Sequence, residues 1–226
     1  MDRQGAAAPE QRSHRHPDWD GAIKHALERL QRELSPRLFY HSLRHTRDDV
    51  LPGVERLAAL EAVAGDTLFM LRVAGAYHDI GFVVQYADHE TASIRIATAA
   101  LPRFGFAAAH IWTIARMIRA TRLPHAPAGV LDAMLADPDL DSLGRDDFFV
   151  TSLALRVELA ERGHVINEAT WFARQLSFLQ AHRYWTPSAR RLRDAQKQRN
   201  IEILCARLAV LQTPGNELDQ GPTMYA

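Results

Sequence analysis

Three short stretches of this chain hold histidine or aspartate side chains that could bind a metal ion. They are YHSLRHT, which contains His45, AYHDIGF, which contains His78 and Asp79, and LADPDL, which contains Asp137 and Asp139. Imidazole nitrogens and carboxylate oxygens together suit Mn, Fe, Co, Ni or Zn, and they can leave positions open for water and a phosphate oxygen. Because a bound divalent ion lowers the pKa of its water and polarises a phosphoryl oxygen, the set predicts a hydrolytic metal site.

Two further histidines compete for roles at this site. His41 lies four residues before His45, on the same face of a predicted helix, and is an alternative ligand. His89, which Glu90 follows, lies ten residues after Asp79 and could be an additional metal ligand, a proton shuttle or a partner of a ligand. The competing interpretation is that His89 and Glu90 lie at the solvent-exposed start of a helix. With 11 histidines in the chain, the order of the residues carries more weight than any single one.

In this order the residues resemble the H…HD…D signature of the HD-domain metal-dependent phosphohydrolases. The resemblance runs from about Phe39 to about Lys197 and includes the stretches HETAS, IRATRLP and LADPDLDSLGRDDF. It implies an all-α fold and a divalent metal (Mn, Fe, Co, Ni, Zn or Mg) bound by His45, His78, Asp79 and a later aspartate. It also implies hydrolysis of a phosphomonoester, a phosphodiester or a nucleotide.

The resemblance also guides the choice of the last ligand. Asp137 follows a small residue, as the family's last aspartate commonly does, whereas Asp139 follows a proline, so Asp137 is preferred and Asp139 is the alternative. One of the two could instead orient a ligating histidine. Asp79 is in addition the candidate catalytic group, which would orient or deprotonate the attacking water.

Two departures from the family pattern narrow the expected activity. The branch that cleaves cyclic dinucleotides typically has a lysine after HDIG and a downstream GYP motif, whereas here Phe82 follows Gly81 and no GYP occurs. The branch that hydrolyses guanosine tetraphosphate resembles HD followed by Glu-Asp, whereas here Ile80 follows. The expected substrate is therefore another small phosphate ester or nucleotide.

Arginines near the motifs are candidates for binding the substrate phosphate. A guanidinium group binds phosphate through two parallel hydrogen bonds and stays charged at working pH. Arg44 directly precedes His45, and Arg119 and Arg122 flank Thr121. The competing interpretation is that these arginines lie on solvated helix faces.

The elements that must position these side chains are predicted to be helices. Apolar residues recur at intervals of three and four, as in Ile111, Ile114 and Ile118, and no sustained alternation of apolar and polar residues occurs. Glycines and prolines punctuate these segments. The pattern predicts an all-α, HD-domain-like bundle of about eight or nine helices.

Composition sets the remaining expectations. Residues 18–212 are predicted to form a single domain, with a disordered segment at 1–17 and a flexible tail at 213–226. Because 27 basic residues balance 27 acidic ones, neither a nucleic acid polymer nor a membrane is an expected partner. The single Cys205 and the lack of a secretory signal or a spanning apolar run favour a cytoplasmic protein.

Three function classes follow from these observations. The leading one is a hydrolase of a small phosphorylated substrate, either as a monomer or as a homo-oligomer. The alternatives are a non-catalytic signalling module of the HD type that binds a metal or nucleotide, and a purely structural helical domain. The intact ligand set favours catalysis, because a domain used only for docking has no physical need for four ligands together.

Overall fold

The structure is a computed structural model that describes residues 16–212 of the chain. Over that range the chain forms nine α-helices and no β-strand, which confirms the predicted all-α bundle. The predicted disordered segment at 1–17 and the predicted flexible tail at 213–226 lie outside the described residues, except for residues 16 and 17. The helices are α1 (Trp19–Glu33), α2 (Leu51–Leu60), α3 (Gly65–Tyr77), α4 (His89–Ala100), α5 (Ala108–Arg119), α6 (Val130–Asp139), α7 (Phe148–Glu161), α8 (Glu168–Ala181) and α9 (Pro187–Gln212).

Four shorter turns lie between these helices. His45–Val50 is a π-helical turn, and Ile80–Val83, Leu101–Phe104 and Asp141–Gly144 are 3₁₀ turns. Three of the four adjoin the residues that the sequence analysis selected, and π-helical turns occur often at functional sites. Within residues 16–212 no helix is both long and apolar enough to cross a bilayer.

The central element of the fold is α3, which packs against α1, α2 and α5. Its second half, from Val73 to Tyr77, is fully or almost fully buried. A helix that is apolar on every side is stable only inside the protein, because each face must be covered. The chain therefore leaves α3 in the interior, and the next two residues, His78 and Asp79, are buried as well.

Gly81 determines how closely the chain after α3 approaches α4. A Cβ atom at Gly81 would lie 2.0 Å from the carbonyl oxygen of His89 and 2.8 Å from the backbone nitrogen of Ser93. The N–H of Gly81 donates a hydrogen bond of 2.8 Å to the Ser93 hydroxyl. Because only glycine permits this approach, the turn at Ile80–Val83 holds the start of α4 beside Asp79.

A second hydrophobic core lies between α7, α8 and α9. Its largest buried side chains include Phe148, Trp171 and Phe172. α9 also packs along the turn at Asp141–Gly144, where Asn200 donates hydrogen bonds to two backbone carbonyls. The turn that follows α6 is thereby fixed to the second core, while α6 itself packs on α2 and α5. We call the part of the fold around α3 the first half and the part formed by α7, α8 and α9 the second half. The candidate site lies where these two halves meet.

Candidate metal centre

Two histidines and an aspartate converge below the surface. His45 begins the π-helical turn, and His78 and Asp79 directly follow α3. Nε2 of His78 lies 3.1 Å from Oδ2 of Asp79, and Nε2 of His45 lies 3.7 Å from the same oxygen. The ligand atoms of the three residues all lie within 4.8 Å of one another, and all three residues are buried. The structure therefore brings together three of the residues selected from the sequence.

The spacing of these atoms fits a divalent ion. Protein ligands bind such ions at about 2.0–2.2 Å, so neighbouring ligand atoms of one ion lie about 3 Å apart. Nε2 of His78 and Oδ2 of Asp79 are buried and make no hydrogen bond to any described residue. A buried polar atom without a partner costs about 1–3 kcal/mol, and a cation between the two atoms would remove that cost. The residues present therefore fit a metal ion.

The backbone of α3 selects the tautomer of His78. Its Nδ1 lies 2.8 Å from the carbonyl oxygen of Gly75, which can only accept a hydrogen bond. Nδ1 therefore carries a proton, which leaves Nε2, the nitrogen beside the carboxylates, as the atom that could bind a metal ion. Metal-binding histidines are commonly oriented in this way, with the second nitrogen donating to a carbonyl.

Asp139, at the end of α6, completes the cluster. Its Oδ1 lies 3.2 Å from Nε2 of His45 and 3.3 Å from Nε2 of His78. Its Oδ2 lies 3.7 Å from Nε2 of His125, a residue that was not selected from the sequence. The Asp139 side chain is 15% exposed, so it lies at the edge between the buried cluster and the solvent-accessible side.

Asp137, the preferred last ligand in the sequence analysis, lies elsewhere. Its Oδ1 accepts a hydrogen bond of 2.8 Å from the backbone nitrogen of Trp185. Its Oδ2 accepts two more of 2.8 Å, from the backbone nitrogen and the hydroxyl of Thr186, directly before α9. Burial raises the pKa of Asp137 above its ordinary value in spite of these three donors. Asp139 is therefore the aspartate that lies beside the histidines, and Asp137 accepts hydrogen bonds at the start of α9.

His89 stands on the other side of Asp79. Its Nε2 lies 3.4 Å from Oδ1 of Asp79 and 3.6 Å from Oε1 of Glu90, and its ring stacks on Phe82 at 3.9 Å between centroids. Burial would lower the pKa of His89, but Asp79 outweighs burial and raises it. The structure thus brings His89 to the candidate site as a neighbour of Asp79 and not of Asp139.

His41 is held by a carboxylate that the sequence analysis missed. Nδ1 of His41 lies 2.5 Å from Oε1 of Glu158, which is fully buried on α7. Glu158 also accepts hydrogen bonds from the backbone nitrogens of Tyr40 and His41 and from the hydroxyl of Tyr86. No motif marks Glu158, because it lies 117 residues from His41 in sequence. His41 is therefore a neighbour of the cluster with its own carboxylate partner.

Comparison with known proteins bears on the fold. No family model matches the chain, and no curated protein matches it. The chain is similar to the crystal structure of a predicted HD superfamily hydrolase from an uncultured Thermotogales bacterium, with a TM-score of 0.55 and 21% sequence identity. The match covers 86% of this chain and 94% of that one. This chain has the HD-type fold. In this fold, the cluster of His45, His78 and Asp79 is compatible with a divalent metal site.

Electrostatics in the cluster favour charged carboxylates. Burial would raise the pKa of Asp79, but the adjacent His78 and His89 hold it well below its ordinary value. The pKa of Asp139 is also held well below its ordinary value, because His125, His45 and His78 outweigh burial. Burial would lower the pKa of His78, yet Asp79 and Asp139 raise it well above its ordinary value. These histidine contacts keep both carboxylates in the ionised form, which is the form that binds a metal ion.

The three candidate arginines occupy different places around the cluster. Arg122 lines a large cavity that opens onto the cluster, and its guanidinium group pairs with Asp88 at 2.7 Å. Arg44 lines a smaller pocket of about 60 Å³ that also reaches His45. Arg119 is exposed at the end of α5 and lines neither space. Arg122 and Arg44 therefore line spaces next to the cluster, whereas Arg119 does not.

A cavity of about 580 Å³ opens onto the cluster. Asp79, His89 and Asp139 line one part of it, and side chains of α7 and α8 line another. Its size lies within the range of about 300–1,000 Å³ that is usual for small-molecule sites. A small molecule in this cavity would therefore reach the carboxylates of the cluster.

Proposed function

We propose that this chain is an HD-type metal-dependent phosphohydrolase that acts on a small phosphorylated substrate. In this proposal His45, His78, Asp79 and Asp139 hold a divalent ion. The observation that carries the proposal is the buried meeting of two imidazole and two carboxylate groups at 3.1–3.7 Å. Two of the atoms involved, on His78 and Asp79, have no hydrogen-bond partner among residues 16–212.

When bound, a divalent ion supplies a polarised phosphoryl oxygen and a more acidic water. The chain's own residues provide orientation and proton transfer. Asp79 presents one oxygen to the ligand cluster and the other to His89, at 3.4 Å. A carboxylate in that position can orient a nucleophilic water. It can also pass a proton from that water to His89, because histidine exchanges protons readily near neutral pH.

Two further groups would act on the substrate. Arg122 would bind a phosphate oxygen from the mouth of the cavity once its pair with Asp88 opens, because phosphate competes well for a guanidinium group. His41, oriented by Glu158, also lines the cavity and would donate a hydrogen bond to the leaving oxygen.

The first experiment is elemental analysis of protein purified without chelator. We expect close to one transition metal ion per chain in the wild type, and a loss of metal in Asp79→Ala. Turnover of a panel of phosphate esters and nucleotides by the loaded wild type then tests the reaction. Metal in the wild type with no turnover of any ester would favour the non-catalytic signalling module, and equal metal in both proteins would contradict the proposed site.

A further inference from the structure

The cavity in front of the cluster has two chemically different ends. One end carries the metal-centre residues Asp79, His89 and Asp139. The other lies between α7 and α8, inside the second hydrophobic core, and is lined by large apolar side chains. These are Leu143, Phe148, Leu155, Leu159, Trp171 and Phe178. The cavity is therefore amphipathic along its length.

The apolar end offers few hydrogen bonds to a ligand. The hydroxyl of Thr151 is used by the carbonyl of Phe148, at 2.9 Å, and the hydroxyl of Ser152 accepts from the indole nitrogen of Trp171, at 3.0 Å. Arg174 and Gln175 of α8 are the polar lining residues on this side whose side chains make no hydrogen bond within residues 16–212. A sugar and base would bring many polar groups into this space, and each would lose its water without gaining a partner.

The charge around the cavity also limits the substrate. Its lining contains two arginines, Arg122 and Arg174, of which the first is paired with Asp88, and two histidines, His41 and His89. It contains four carboxylates, which are Asp79, Asp88, Glu90 and Asp139. A divalent ion would offset two negative charges, which suits one phosphate group. A polyphosphate would add several more negative charges than these cations can balance.

The volume of the cavity also indicates a substrate with a large organic group. A phosphate group is comparable in size to a few water molecules of about 30 Å³ each, so it fills only a small part of the 580 Å³. The remaining space must be filled by the rest of the substrate, because apolar walls gain most by excluding water.

We propose, on the basis of the hydrolase function proposed above, that the substrate is an ester of a single phosphate with an apolar alkyl or aryl alcohol. The phosphate lies at the metal end, and the organic group lies between α7 and α8. Hydrolysis adds one water, breaks the ester P–O bond and releases phosphate and the apolar alcohol, which takes up one proton on its oxygen.

The test compares n-alkyl phosphates of increasing chain length, from ethyl to octyl, with AMP and ATP in the metal-loaded protein. We expect kcat/KM to rise with each methylene by up to about fourfold, because each buried methylene adds that factor to binding. We also expect octyl phosphate to exceed both nucleotides. Leu155→Trp, which fills the apolar end, should flatten the dependence on chain length. Leu153→Trp is the matched control, because Leu153 lies on the same helix but is 55% exposed.

A second readout does not depend on turnover. Binding of non-hydrolysable n-alkylphosphonates by calorimetry should strengthen with chain length in the wild type and in Leu153→Trp, but not in Leu155→Trp. If nucleotides are hydrolysed and chain length has no effect, the substrate class is wrong while the hydrolase function stands. If no ester is hydrolysed but longer phosphonates bind more tightly, the apolar subsite stands and the hydrolase function fails. Equal binding of all chain lengths would overturn the inference.

Discussion

Nδ1 of His41 lies 2.5 Å from Oε1 of Glu158, a carboxylate that has no exposed surface. Three other donors share this carboxylate, and all four come from outside α7. Burial would raise the pKa of Glu158, but its contact with His41 lowers it below the ordinary value. One ionised side chain thus ties the segment before the π-helical turn to the second half of the fold.

This relationship predicts a large effect of Glu158→Gln. The glutamine amide has one oxygen that accepts hydrogen bonds, whereas the glutamate carboxylate has two. The NH₂ group of the amide would therefore face N–H or O–H donors that now bind the carboxylate. We expect the free energy of unfolding to fall by about 3 kcal/mol, measured by urea denaturation at pH 7. Glu161→Gln is the control, because Glu161 is an exposed acid on the same helix whose ion pair with Arg37 spans 3.7 Å. A change below about 1 kcal/mol in Glu158→Gln would contradict the assigned role.

The two aspartates of α6 should separate metal binding from stability. Asp139→Asn is expected to lose metal in elemental analysis, because Oδ1 of Asp139 faces both histidines of the cluster. Asp137→Asn is expected to keep its metal but to lose about 2 kcal/mol of unfolding free energy, because an amide cannot accept all three hydrogen bonds at the start of α9. Metal loss in Asp137→Asn alone would restore the preference drawn from the sequence.

Gly81→Ala tests the close approach of the turn to α4. The new Cβ would overlap the backbone of His89, which cannot rotate away as a side chain can. We expect a loss of about 1–3 kcal/mol in unfolding free energy and weaker metal binding, because the start of α4 must move away from Asp79. At Gly129 the nearest atom to a new Cβ is an arginine nitrogen at 3.6 Å, so Gly129→Ala should change little. Similar stability of the two variants would contradict this explanation.

The stability of the fold should depend on pH through His182. Burial, with Lys197 nearby, lowers the pKa of His182 to about 3, so the ring stays neutral in the folded protein. The unfolded chain takes up a proton below about pH 6.5, so stability falls as pH drops from 6.5 towards 3, by at most about 1.4 kcal/mol per pH unit.

His182→Gln removes this group from both states. We expect the loss of unfolding free energy between pH 7 and pH 5 to be smaller in the variant than in the wild type, by up to about 2 kcal/mol. Urea denaturation at the two pH values measures this difference. An identical loss in both proteins would show that His182 gains its proton equally in the two states.

Helical periodicity, which is a local pattern, predicted the helical class, and the resemblance of the ordered motif to the HD-domain family implied the meeting of His45, His78 and Asp79. The same resemblance favoured Asp137 over Asp139, whereas the structure places Asp139 beside His45 and His78. Side chains two residues apart on a helix point about 200° apart, and only the packing of α6 against its neighbours determines which one faces the histidines.

Other site residues could not be predicted from the sequence, because their positions depend on contacts between distant parts of the chain. Arg119 and Arg122 were equivalent candidates in sequence, but α5 ends at Arg119, and the chain then turns so that Arg122 reaches the cavity. Glu158 and the apolar side chains of α7 and α8 belong to the second half of the fold. Nothing in their local sequence connects them to a motif more than 60 residues earlier.

The π-helical turn at His45–Val50 makes the site sensitive to chain length as well as to side-chain chemistry. A π turn holds one residue more than an α turn, because its hydrogen bonds span five residues instead of four. Deleting one residue from this turn would restore α-helical geometry and rotate His45 by about 100° relative to the buried face of α2. The imidazole would then leave the cluster although every ligand was still present in the sequence. Single-residue deletions that change no metal-binding residue would thus abolish the site.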